Sequence, residues 1–107
     1  MGSPRPSKLS PIEAFEAIQK ILEQPDSIGL TAHARQRARE RQFTLDDIRR
    51  VLTKGIVALE AEWDDRFSNW KYTISGRDYD DEPLAVVVTI EVELDRITVI
   101  TGKDVND

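Results

Sequence analysis

Cysteine is absent from the 107 residues. Disulfides and thiolate zinc sites are therefore excluded. There is one histidine, His33, and a single imidazole without thiolates is a poor basis for a transition-metal centre. No apolar run approaches the roughly 20 residues needed to span a bilayer, so no membrane partner is expected. The N-terminus, "MGSPRPSKLSP", has basic residues but no hydrophobic stretch after them. It does not read as a secretory signal, and the expected location is cytoplasmic. A glycine-rich phosphate loop and a serine nucleophile elbow are both missing. No cofactor is expected.

What is present is charge. The formal net charge is −5, which argues against a broad basic footprint for nucleic acid. The charge is uneven, however. Thr31 to Lys54 holds seven Arg or Lys against Glu40, Asp46 and Asp47. Acids gather in "EAEWDD", "RDYDDE" and "IEVELD". Such asymmetry can put a basic patch on an acidic body, and it can equally mark solvated faces.

Residues 1–9 read as a flexible lead-in, and residues 10–107 as one α+β domain. Ser10, Pro11 and Glu13 form a helix-start signature. Ile12, Ala14, Phe15, Ile18 and Leu22 recur at helical spacing, and Pro25 ends the run. Helices are predicted near 11–24, 32–41 and 45–54, with "SIGLT" as a short extended piece between the first two. Thr44 caps the third helix, Asp47 completes its capping box, and Gly55 stops it. Ile48, Val51 and Leu52 form its buried stripe.

From Gly55 the period becomes two. Val57, Leu59, Ala61 and Trp63 alternate with polar or small residues, and Trp70, Tyr72 and Ile74 follow after a polar turn. "LAVVVTIEV" is nearly continuous apolar and should be a central strand. "ITVITGK" closes the chain. This predicts a four-stranded antiparallel meander preceded by helices, an α+β class.

The segment "TAHARQRARERQF" carries the chemistry worth weighing. His33, Arg37 and Arg41 lie at i, i+4 and i+8, one stripe of a helix. With Ala34 and Ala38 facing inward, the wheel puts His33 outermost and Arg41 half-buried. Metal-free RNA cleavage needs a base, an acid and fixed positive charge at the phosphate. Arginine suits the last role, because its fork matches two phosphate oxygens. His33 suits proton transfer near neutral pH. Its partner would be Tyr72, Glu40, a lysine or water. The plain alternative is an ordinary solvated helix with a histidine near its start. The cluster Asp78, Asp80, Asp81 and Glu82 lacks the spacing of a calcium loop and reads as a charged loop.

Thr31, His33-Ala34, Arg37, Glu40-Arg41, Ile48, Val51-Leu52 and Gly55 form an ordered pattern. Tyr72, Gly76, Leu84, Val86-Val87 and Ile100-Thr101 continue it. The set resembles a small bacterial domain family related to the RelE/ParE and MqsR-like toxins. The resemblance covers about residues 28–103 and implies a RelE-like fold, with helices on a twisted antiparallel sheet. It also implies the toxin half of a toxin–antitoxin pair, a metal-independent endoribonuclease acting on mRNA, with an antitoxin protein as partner. The catalytic positions it carries over are His33, Arg37, Arg41, Tyr72 and Thr101. Arg35, Lys71, Arg77 and Lys103 are the expected guides for the RNA backbone. Two rival readings stay open: a non-catalytic protein-binding module, and a small protein that homodimerises through a strand edge.

Overall fold

The helix starts are set by local chemistry. The computed structural model describes residues 6–103. Helix α1 spans Pro11–Leu22. Ser10 Oγ accepts the Glu13 N–H at 3.1 Å, and Glu13 Oε1 accepts the Ser10 N–H at 2.9 Å. Strand β1 (Ile28–Leu30) follows, then helix α2 (Ala32–Arg41) and helix α3 (Leu45–Lys54). The Thr44–Asp47 capping box of α3 is formed as the sequence predicts. Gly55 closes that helix for a steric reason: a Cβ there would sit 2.5 Å from the Val51 carbonyl and 2.7 Å from Ile74.

Five strands complete the sheet: β2 (Ile56–Val57), β3 (Glu62–Asp64), β4 (Asn69–Arg77), β5 (Pro83–Glu91) and β6 (Arg96–Lys103). The order is β1-β6-β5-β4-β2, with β3 also paired to β4. The sheet is therefore six-stranded and mixed, not the predicted four-stranded antiparallel one. Two features account for the difference. The predicted strand through Val57–Trp63 breaks into β2 and β3. The short extended piece before α2 joins the sheet as β1, parallel to β6. β5 is central, as expected, and every residue from Leu84 to Ile90 is buried.

The helices cover one face of the sheet. α3 packs over β4 and β5, α2 along β6, and α1 against α3 and β2. The core joins Ile18, Ile21, Ile48, Val51 and Leu52 to Tyr72, Ile74, Val86, Val88, Ile97 and Val99. The α1 stripe is rotated from its predicted position. Ala14, Ile18 and Ile21 face inward, whereas Ile12 is 71% and Phe15 38% exposed.

Alternation places Lys71, Thr73, Ser75 and Arg77 of β4 on the opposite face, beside Ala85, Val87 and Thr89 of β5. No described helix packs there. A bulge at Val87/Val88 inserts Ile100, so Val88 faces Val99 and Val87 faces Thr101. Thr101 is thereby turned to the helix-free face, and Gly102 to the core. Phe43 fills the space over Gly102, where a Cβ would collide with its ring.

Candidate functional site

Helix α2 begins where β1 leaves the sheet. Thr31 ties that point down in three ways. Its N–H donates to Val99 O at 3.1 Å. Its Oγ1 donates to Ile100 O at 2.9 Å and accepts the Ala34 N–H at 3.0 Å. Ala34 is buried against the sheet and Ala38 half-buried, so a helix with little other apolar surface still lies close to β6. The rest of α2 is polar. His33, Arg35, Arg39 and Arg41 are exposed.

Arg37 is the inner arginine. Its side chain is 23% exposed, and Nη1 lies 3.8 Å from Glu40 Oε2. Glu40 also accepts Gln36 Nε2 at 2.9 Å. The helical wheel predicts a half-buried Arg41, and it is exposed instead. The helical wheel fails there because the helix ends. Gln42 is left-handed with φ 58°, its N–H donates to Ala38 O, and the inward space is taken by Phe43, 6% exposed. Arg41 borders a hollow of about 250 Å³ that Asp78, Asp80 and Glu82 also line.

A family profile described as a domain of unknown function, DUF4258, matches residues 30–101. The chain belongs to this family. No curated protein and no solved structure matches the chain. The DUF4258 segment runs from the end of β1 to Thr101 in β6, so it contains α2, α3 and nearly all of the sheet. Helix α1 lies outside it. No described helix is long and apolar enough to cross a membrane.

Within the DUF4258 segment the predicted site residues fall into three groups. His33, Arg37 and Arg41 share one stripe of α2, and Arg35 lies on its other flank. Tyr72 belongs to the core, on β4, two strands from β6 and thus about 10 Å across the sheet. It is 4% exposed, and its hydroxyl oxygen accepts the Leu9 N–H at 2.8 Å. Burial pushes its pKa up; the Leu9 bond opposes this, and the nearby Glu13 charge adds to it. The third group is on the helix-free face. Thr101 is there, its hydroxyl only 3.4 Å from Gly102 O. Lys71 lies 3.7 Å from Glu62 and 3.8 Å from Asp64. Arg77 donates to Asp81 O at 2.8 Å and pairs with its carboxylate at 3.8 Å. Lys103 faces Ala85 across the ladder, and its side chain lies outside the described part.

Sequence reasoning missed the acidic wall beside Arg41. The 78–82 loop is held by its own carboxylate: Asp78 Oδ1 accepts the N–H groups of Asp80 and Glu82, each at 2.9 Å. Asp47 Oδ1 accepts the Tyr79 N–H at 2.9 Å, and the Arg50 guanidinium lies 4.9 Å from the Tyr79 ring centroid. Helix α3 thus fixes the loop, and the loop brings carboxylates to the C-terminal end of the arginine ridge. No local pattern signals a contact between residues this far apart in the chain.

Proposed function

We propose that this DUF4258 protein binds RNA through the α2 ridge and cleaves it without a metal, as the toxin half of a cytoplasmic toxin–antitoxin pair related to the RelE-like toxins. The observation that carries the reading is the concentration of cations on one short helix: His33, Arg37 and Arg41 along one stripe, Arg35 and Arg39 exposed on another flank, on a chain of net charge −5. Arg37 and Arg41 would hold the scissile phosphate, matching two oxygens with each guanidinium fork. His33 would move the proton. Tyr72, buried in the core, and Thr101, on the helix-free face, lie off that stripe and take no part in the reacting group. Water or Glu40 is then the second proton carrier.

The test is cleavage of a long RNA by purified protein in EDTA, with the new ends analysed. The expected products carry a 2′,3′-cyclic phosphate or its 3′-phosphate. His33→Ala and Arg37→Ala should each slow cleavage by about 10²–10⁴-fold while leaving the circular dichroism spectrum unchanged. Intact RNA after incubation with the wild type, free or on ribosomes, sinks the catalytic reading. A second reading, a non-catalytic module that docks a protein partner or a second copy, is favoured by one observation. The candidate catalytic groups do not converge, which leaves His33 without a second titratable side chain on its ridge beyond Glu40. That reading expects partner binding to survive where cleavage is absent.

A further inference from the structure

A hollow of about 360 Å³, with no α2 residue in its lining, opens between the N-terminal segment and the β5–β6 turn. Tyr72 and Ile90 line it from the sheet, Leu9 from one side, and Val92 and Leu94 from the other. Its size falls within the range of binding pockets. Three features distinguish it from an ordinary surface crease.

Val92 and Leu94 are 55% and 68% exposed, in a short 3-10 turn where water would favour polar residues. The Tyr72 hydroxyl uses its oxygen to accept the Leu9 amide, and its own proton has no acceptor among the described residues. The turn reads Glu91-Val92-Glu93-Leu94 where it lines the hollow, so two carboxylates alternate with the apolar side chains along that edge. Apolar groups with two carboxylates along one edge disfavour a nucleic acid. They fit an apolar side chain carried between cations.

We infer that this hollow is a docking site for a basic amphipathic segment of a protein partner, which seats an apolar side chain against Leu9, Ile90, Val92 and Leu94. Lysines or arginines flanking that side chain would meet Glu91 and Glu93. A backbone carbonyl of the segment would accept the free Tyr72 proton. The apolar seat supplies affinity, and the carboxylate rim supplies orientation and association rate. The α2 ridge takes no part in this surface, so failure of RNA cleavage and failure of docking are separate outcomes.

The probe is a synthetic peptide of alternating lysine and leucine, titrated into the isotope-labelled protein and followed by amide shifts. Saturable shifts are expected at Leu9, Ile90, Val92 and Leu94. A glutamate–leucine peptide should produce none. Glu93→Lys and Leu94→Ser alter exposed side chains and should keep the fold, and each should weaken the peptide by about tenfold. Tyr72→Phe should weaken it by a few fold while the shift at Leu94 persists. Shifts confined to the acidic 60–65 edge, or equal affinity for Glu93→Lys and the wild type, would overturn the assignment. Shifts that grow with protein concentration in the absence of peptide would overturn it too, because a second copy would then be the occupant.

Discussion

Asp47 shows how one side chain can hold two elements. It is 7% exposed, and it accepts the Thr44 N–H at 2.8 Å, the Thr44 hydroxyl at 3.1 Å and the Tyr79 N–H at 2.9 Å. Burial alone would raise its pKa, but the bonds from Tyr79 and Thr44 outweigh burial and hold it below the ordinary aspartate value. A carboxyl whose folded pKa is depressed stabilises the protein fully above its unfolded pKa, about 3.9. That contribution disappears as pH falls through the folded value. Asp47→Asn should therefore cost about 1–3 kcal/mol at neutral pH, and the gap from wild type should narrow below about pH 4. Denaturant melts at pH 7 and pH 3 check this; the same gap at both would mean that the charge is irrelevant. At this scale the sequence was partly readable. Asp47 was identified as a capping residue from its spacing to Thr44, but its second duty, to Tyr79, was not. The exposure of Arg41 is not legible, because a helical wheel carries no knowledge of the left-handed turn at Gln42.

The elements divide by whether their determinants are local. Ser10–Glu13 and Thr44–Asp47 were legible as helix starts because every atom involved lies within three residues. The break between β2 and β3 was not. Val57, Leu59, Ala61 and Trp63 alternate as one strand should. Yet Val57 faces Ile74 while Glu62 faces Lys71, so five steps on one strand answer three on the other, and two residues are extra. Leu59 is consequently 85% exposed. Pairing partners, not periodicity, decide this. Helix α2 shows the same dependence on distant partners. Its apolar surface is slight, and Thr31 links its first turn to β6. Thr31→Ala should destabilise the protein by about 1–2 kcal/mol and speed amide exchange in α2 more than in α3. Thr31→Ser, which keeps the hydroxyl, should stay close to wild type. Equal acceleration in both helices would mean that the tie is not specific to α2.

Across the whole molecule, burial peaks on β5, which is flanked on both sides and packed under α3. Val86, Val87 and Val88 should be the slowest amides in native-state hydrogen exchange, with β1 and β2 at the sheet ends opening first. Exchange at those valines as fast as in the 78–82 loop would contradict the strand order. The candidate site is less legible at this scale than the fold, because the sequence marks the basic helix but not which face each strand residue turns to. One consequence of the sheet order concerns timing. Thr31 and the Ile100 carbonyl that receives its hydroxyl are 69 residues apart, and β1 pairs in parallel with β6, the last strand described. During translation at roughly 5–20 residues per second, the nascent chain exposes α2 several seconds before the strand that seats it has been made. Until β6 has been made, the arginine-bearing helix has its N-cap but lacks the strand that receives the Thr31 hydroxyl, so it is fixed in place only once that strand pairs.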